Sequence, residues 1–514
     1  MLTGPTGARS RRPAGHLAPW SAADLPPAPV FDRRALAGMI GPGLTFAGAS
    51  IGGGEWLLGP AVTAQYGGAL LWVATISLAA QYFYNVEASR YTLYTGELIM
   101  VGKFRTWPGP AVWLVVYLLL DAGSLLPYMI ASAATPIVAL WRGALPDPAT
   151  DAPLLRLVSV GLMIVALLPL VVGGKVYTSV KAVMAVKVAV VFGFLIVLAV
   201  GWSSAGAWRE IGTGLLRVGE IPMGDGRTEN LFASFAAGRG LPRPDRDALL
   251  LLAAFAAIAG VGSLQQTTIS NYTRDQGWGM GARVGALPSF IGGRKITLSH
   301  EGAVFPPTSE NMARWRGWLR HVRRDQLAIW LPGALVGVAL PAMLSIEFLP
   351  RGTVANQWVL AGLTADGVAA RVGGALGGFA WAMVLVCGAL VLVPNTTTSS
   401  NGFLSRWVEL AWVGLRPLRT WNLHAIRPLY FIVLLSYLAI AIVLLLTVRP
   451  LWLIVVFGNL GNLALGFSAW HVLYVNLTLL PPELRPGWGS RVGLFLGGCY
   501  FLGIALVSLM VSWS

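Results

Sequence analysis

Charge is scarce in this chain. Only 11% of its 514 residues are Asp, Glu, Lys or Arg, and 55% are hydrophobic, whereas soluble domains carry about a quarter charged residues. That shortage excludes an ordinary water-soluble protein. Cysteine is scarcer still: Cys387 and Cys499 sit in separate apolar runs, which excludes a disulfide framework or a CxxC motif and leaves them as core residues. Of the five histidines, His16, His300, His321 and His424 fall in the tail or in connections, and none has metal-ligand spacing. His471 lies within an apolar run and reads as a helix-packing residue. The sequence has no HExxH, paired-acid site or phosphate loop, which excludes the enzyme classes built on them, and no cofactor is implied. A net charge of +15 without a basic stripe or a soluble module excludes nucleic acid as a partner.

Long apolar runs are what the chain has instead. A span needs about 20 mostly apolar residues, and about eleven such stretches occur, near 37–66, 69–95, 110–141, 153–174, 177–202, 248–276, 326–347, 372–399, 428–448, 451–479 and 491–512. The expected partner is the lipid bilayer, and the expected fold is an all-α integral membrane protein acting as a monomer. Residues 1–36, with Arg9, Arg11, Arg12 and LPPAP, lack a signal-peptide core and read as a disordered tail. Arg33, Arg34, Arg90, Lys103, Arg105, Lys175, Lys181, Arg314, Arg316, Arg320, Arg323, Arg324, Arg406, Arg416 and Arg419 all fall on one side of an eleven-span layout. That side is the cytoplasm, with the N-terminus in it, and a multi-pass cell-membrane location follows.

The first run carries an interruption, ASIGGGEWLLGP, over 49–60. An unpaired backbone group costs several kcal/mol in hydrocarbon, so an unwound stretch survives only where protein or water surrounds it. Gly52, Gly53 and Gly54 are suited to leaving helical geometry, with Glu55 beside them. A matching interruption occurs five runs later in AAIAGVGSLQQTTISNYTRD, where Gly260 and Gly262 precede Ser263, Gln265, Gln266, Thr267 and Thr268. Broken first and sixth spans mark a LeuT-type five-plus-five inverted repeat. The halves are 37–203 and 248–480, separated by an extracytoplasmic loop at 204–247, with an eleventh span in 481–514.

The run GPGLTFAGASIGGGEWLLGPAVTAQYGGALLW, followed by a second span ending EASRYTLYTGE, resembles the opening of the Nramp (natural resistance-associated macrophage protein) divalent-metal transporters. That family reads GPG, then DPGN, then AQYG and LLW. The resemblance extends more weakly through SVKAVMAVKVAVV and the sixth span, over about 37–480. Two departures stand out. Against DPGN the chain has Gly52, Gly53, Gly54 and Glu55, so the family's metal-binding aspartate is a glycine and its asparagine a glutamate. Against the family's MPH it has Leu264, Gln265 and Gln266, so the methionine sulfur is absent.

The resemblance implies a secondary transporter of divalent cations. The donors left at the breaks are hard: Glu55, Ser263, Gln265, Gln266, Thr267 and backbone carbonyls near 49–52, the substrate-binding set together with Gly52, Gly53 and Gly54. Such oxygens suit Mg2+ or Mn2+ better than softer metals, with Glu55 and Gln266 as candidate metal ligands. A symporter of a small organic solute, such as an amino acid or amine, shares the architecture and is the alternative.

Glu55 has a second reading as an N-terminal helix cap, and Gln265 and Gln266 could equally satisfy unwound backbone. Asp121 fits the first position of the family's third-span D-x-x-E, with Ser124 replacing the glutamate. A proton path through Asp121 and Glu55 follows, against a static anchor between spans. Thr397, Thr398, Ser399 and Ser400 form a candidate sodium site by analogy of fold, against hydroxyls bonded back to their own helix. Glu87 and Arg90 read as a helix pair or gate strut. In the cytoplasmic insertion 283–325, TSENMARWRGWLRHVRRD reads as an amphipathic helix on the inner leaflet, capped by Thr308 or Ser309.

Overall fold

The computed structural model describes residues 17–30, 52–172, 174–240, 242–285, 302–354, 362–421 and 423–513. Within them the chain is helical, apart from two small two-stranded pairings. Eight helical stretches are long and apolar enough to cross a membrane, or ten spans if each of two bent pairs counts as one. The first bent pair, Gly54–Leu70 with Trp72–Thr95, turns by 93° and holds what the sequence divides into the first and second spans. The start of the first span, 37–51, lies outside the described residues.

The other runs map onto Ala152–Val172, Gly174–Trp202, Leu331–Phe348, Gly374–Gly414, Leu423–Thr447, Pro450–Leu479 and Trp488–Trp513 as spans four, five, seven, eight, nine, ten and eleven. The sixth span is Arg246–Ile258 followed, after a break, by Ser263–Thr267 and Thr268–Asp275. Small residues let the spans close on one another, as expected where lipid offers no hydrophobic drive for association. A Cβ on Gly458 of the tenth span would lie 2.5 Å from Ala254 Cα of the sixth.

Three expectations are corrected here. The third span is broken as well: Pro110–Leu120 ends at Asp121, a 3-10 turn follows over Ala122–Leu125, and Tyr128–Arg142 resumes the helix. Pro127, which disfavours helical geometry in the residue before it, accounts for the interruption. The eighth span does not end near 399 but continues to Gly414, so Arg406 is buried inside the fold and not in a connection. Lys103 and Arg105 are also buried, satisfied by Ser468 and Glu97 respectively.

The tail is the third. Residues 17–30 form a packed strap: Ser21–Ala22 pairs in parallel with Ala303–Val304, and Leu25 is fully buried. The helix Ser309–Asp325, capped by Thr308, supplies donors to this proline-rich segment. Trp318 Nε1 donates to Pro26 O at 2.9 Å, and Arg314 Nη1 donates to Leu25 O at 2.8 Å. Trp315, Trp318 and Val322 are therefore covered by protein, while Arg316, Arg320, Arg323 and Arg324 stay exposed. Residues 1–16, 31–36 and 286–301 of the expected tail and insertion lie outside the described residues.

Candidate functional site

The sixth-span break follows directly from its glycines. Gly260 has φ +91° and Gly262 φ +65°, and Ser263 follows at +50°. A Cβ on Gly262 would lie 2.0 Å from Ala257 O, so a side chain there is barred by both conformation and space. The backbone groups released over 259–261 need partners, and two side chains from other spans supply them. Gln81 of the second span donates from Nε2 to Ala259 O at 2.7 Å and accepts from Val261 N–H at 3.3 Å. Glu55 Oε1 accepts from Gly260 N–H at 2.8 Å.

The second oxygen of Glu55 accepts from Gly52 N–H at 3.0 Å. One carboxylate, 1% exposed, thus ties the first span to the sixth. Gly53 and Gly54 are not unwound: Gly53 has φ −63° and ψ −26°, and a π-helical turn covers Gly54–Leu58. They are needed for closeness, since a Cβ on Gly54 would lie 1.9 Å from Ile258 Cγ2 and one on Gly53 would lie 2.9 Å from Tyr128 Cε2. Gly54→Ala is therefore expected to cost about 1–3 kcal/mol by overpacking. A lowered melting temperature in detergent, partly restored by adding Ile258→Ala, checks this.

Gln265 and Gln266 face different surroundings. Gln265 Nε2 donates to Ser399 Oγ at 3.3 Å. Gln266 is fully buried and donates to Asn85 Oδ1, which continues a buried chain: Asn85 Nδ2 to Gln326 Oε1 at 2.7 Å, and Gln326 Nε2 to Asp325 Oδ2 at 2.8 Å. Of the expected metal pair, Glu55 is taken up by two backbone amides and Gln266 Nε2 by Asn85, while Gln266 Oε1, the atom a cation would use, is buried with no hydrogen-bond partner among the described residues. Among the described residues no group of three or more His, Cys, Asp or Glu side chains could hold a metal ion. Thr267 Oγ1 bonds back to Leu264 O at 2.7 Å, and Ser263 packs against Gly461 of the tenth span. The carbonyls of 49–51 lie outside the described residues.

Asp121 is held by four donors. Arg406 Nε and Nη2 reach its two oxygens at 2.8 and 2.9 Å, Trp407 Nε1 donates at 2.8 Å and Ser124 Oγ at 2.7 Å. A carboxylate so saturated fastens the third span to the eighth, the anchor arrangement, and its partners are not those of a path toward Glu55. In the candidate sodium segment, Thr397 Oγ1 donates to Ala166 O of the fourth span at 2.7 Å, Thr398 Oγ1 bonds back to Asn395 O at 3.1 Å, and Ser400 bonds Tyr437. Asn395, in the preceding turn, accepts from Lys187 Nζ of the fifth span at 2.9 Å. Lys187 is 1% exposed, and its charge lies within electrostatic reach of Glu55.

Beside the sixth-span break lies a cavity of about 40 Å3. Tyr128, Phe457, Phe403 and Tyr437 form its aromatic walls, with Ser124, Thr396, Ser399, Ser400 and Gln265 as its polar groups. The rings are locked in pairs, Tyr128 with Phe457 at 4.6 Å and Phe403 with Tyr437 at 4.7 Å between centroids. None of the described residues lining it is acidic. Elsewhere, His471 is a packing residue, bonded through Nδ1 to Tyr117 at 2.8 Å and through Nε2 to Thr106 at 2.9 Å. Glu87 and Arg90 form a buried pair that also holds Asn476 and Leu484 O.

Lys187, Gln81, Asn85 and Arg406 were not legible as site residues. The two lysines of SVKAVMAVK look alike in sequence, and Gln81 and Asn85 sit in a span with no motif. One usable signal existed: Gln81 and Asn85 are polar at i and i+4 within an apolar helix, hence on one face.

In fold the chain is similar to the Eremococcus coleocola manganese transporter solved in complex with an aromatic bis-isothiourea substituted compound. The identity is 14% and the TM-score 0.57, over 95% of this chain and 90% of that one. A histidine-to-alanine variant of that transporter matches with 14% identity and a TM-score of 0.59 over 94% and 89%. A glutamate-to-glutamine variant matches with 16% identity and a TM-score of 0.57 over 95% and 89%. No protein-family model matches the sequence, and no curated protein matches it. The chain is thus an all-α, multi-pass membrane protein with the LeuT-type fold of those transporters.

Proposed function

We propose that this chain is a secondary active transporter whose substrate is a small organic solute of amino-acid or amine size, and that it performs no enzymatic reaction. The observation that carries the reading is the pocket beside the sixth-span break. Its aromatic walls and convergent hydroxyl and amide groups are the usual lining of a small-molecule site, and at about 40 Å3 it must widen to admit a solute. A protonated amine gains further attraction from aromatic faces. The acid nearest the sixth-span break, Glu55, already accepts from Gly52 and Gly260 N–H, whereas hard cations are held by several oxygens with carboxylates among them.

A second reading is favoured by the fold. The similar structures are those of a manganese transporter, and a divergent Nramp relative moving Mg2+ or Mn2+ would use Glu55 and the side chains of Gln265 and Gln266, the Oε1 of Gln266 having no hydrogen-bond partner among the described residues. In either case we place the protein in the cell membrane as a monomer with its N-terminus in the cytoplasm. The exposed arginines of Ser309–Asp325 then face the inner leaflet.

Uptake into proteoliposomes distinguishes the two. A panel of amino acids and amines, and one of divalent ions, is offered with and without proton and sodium gradients. Accumulation of an organic solute, lost in Tyr128→Ala and Gln265→Ala, is the expected result. Accumulation of Mn2+ or Mg2+ with no solute taken up overturns the first reading in favour of the second.

A further inference from the structure

We propose that the hollow at the head of the seventh span, where the arginines of Ser309–Asp325 meet the first exposed apolar residues, is a binding site for an anionic phospholipid. The phosphate lies on Arg320, Arg323 and Arg324, and the acyl chains run along Leu327 and Ala328. The site is the same whichever substrate is carried.

The helix Ser309–Asp325 runs on through a π-helical turn, Gln326–Trp330, into Leu331–Phe348, one stretch of 40 residues. Its two ends suit different solvents. Arginine is expelled from the hydrocarbon core, whereas Leu331–Phe348 is almost wholly apolar, so the membrane boundary falls close to Asp325. Arg320, Arg323, Arg324, Leu327 and Ala328 follow one another at i, i+3, i+4, i+7 and i+8, the spacing of a single helix face. All five are exposed, and together they line a surface hollow of about 320 Å3. Within that hollow charge gives way to apolar surface across the boundary, in the order in which a phospholipid passes from headgroup to chain.

Guanidiniums gathered on one face repel one another and need a counter-charge. Among the described residues no carboxylate pairs with Arg320 or Arg323, and Arg320 Nε donates to a backbone oxygen, Arg316 O, at 3.4 Å. The acids of this helix are used elsewhere: Glu310 pairs with Arg314, and Asp325 is buried and accepts from Gln326 Nε2. The other face is occupied too, with Trp315, Trp318 and Val322 buried. A phosphate diester accepts two N–H groups at once from a guanidinium, and a lipid with net negative charge supplies the missing counter-charge, which a zwitterionic one cancels with its own ammonium. A soluble anion meets the arginines alone. A lipid meets the arginines and Leu327, 49% exposed, together. Held there, it fixes the end of the helix at Asp325, where the buried chain through Gln326 and Asn85 to Gln266 begins.

Melting temperatures of the purified full-length protein in detergent, with phosphatidylglycerol, phosphatidylcholine or inorganic phosphate added, test the site. Phosphatidylglycerol is expected to raise the melting temperature by roughly 2 °C or more over phosphatidylcholine at saturation, and inorganic phosphate to leave it unchanged. The double variant Arg320→Gln with Arg323→Gln is expected to lose the difference between the two lipids, while Arg316→Gln, on the same helix but outside the hollow, keeps it. Where the double variant does not yield folded protein, lipid carried through purification from an equal mixture of the two decides alone: enrichment of phosphatidylglycerol on the unmodified protein is expected, and equal amounts overturn the proposal. Equal stabilisation by the two lipids overturns it, as does an inorganic phosphate effect as large as that of phosphatidylglycerol, which would mark an anion site without a lipid. A full phosphatidylglycerol response in the double variant, or its loss in Arg316→Gln, would mark a diffuse effect of the helix charge and overturns the assignment to this hollow.

Discussion

Asp121→Ala is expected to destabilise the protein by about 3–5 kcal/mol, the usual cost of removing one partner from a buried ion pair. The loss is large because of what remains. Arg406 is buried on the eighth span and would be left with a guanidinium that nothing on the third span neutralises. Trp407 Nε1 and Ser124 Oγ would lose their acceptor in the same step. Glu409, which also feels the Arg406 charge, offsets part of the loss. Removing both partners is a different matter, because an ion pair replaced by apolar side chains leaves no stranded charge. The double variant Asp121→Leu with Arg406→Met is therefore expected to be closer to the unmodified protein than Asp121→Ala is, and the coupling between the two changes is read from a double-mutant cycle of unfolding in detergent. A proton relay makes the opposite forecast: Asp121→Asn would melt normally while substrate flux lost its dependence on a proton gradient. That result would remove the anchor interpretation.

The contrast between Asp121 and Gly260 shows what could be read from sequence. Gly260 and Gly262 signal their break locally, because both have positive φ angles, and at Gly262 a Cβ would also lie 2.0 Å from Ala257 O. The apolar runs and the sixth-span interruption were legible for the same reason, as each depends on neighbours in the chain, whereas the glycines of the first span pack closely and are not unwound at Gly53 and Gly54. Asp121 was visible as a deep acid, but its partner lies 285 residues away, in a stretch where an arginine looks like the basic flank of a span. Lys187 had the same disguise near Lys181. The strap over 17–30 was hidden differently: LPPAP has the composition of a disordered tail, and only the donors of Asn311, Arg314 and Trp318 order it. The pocket was not legible at all, since its rings come from the third, eighth, ninth and tenth spans.

Glu55→Gln is expected to reduce uptake of any substrate at least tenfold while lowering the melting temperature, and Glu55→Ala is expected to do more. The two oxygens of Glu55 both accept, from Gly52 N–H and Gly260 N–H. A glutamine has one oxygen and an NH2 group, so one of those amides must face another donor, and each buried amide left unsatisfied costs about 1–3 kcal/mol. Alanine abandons both. The damage to transport follows from position, because the carboxylate is the tie between the first and sixth spans, and their relative movement is what alternating access in this fold requires. Calorimetry separates this role from direct binding. If Glu55 acts as the tie, Glu55→Gln binds an organic solute in the aromatic pocket with an affinity close to normal but fails to carry it. If Glu55 is a metal ligand, the same variant keeps its melting temperature and loses Mn2+ binding, and the tie is then the wrong account of why a glutamate follows three glycines.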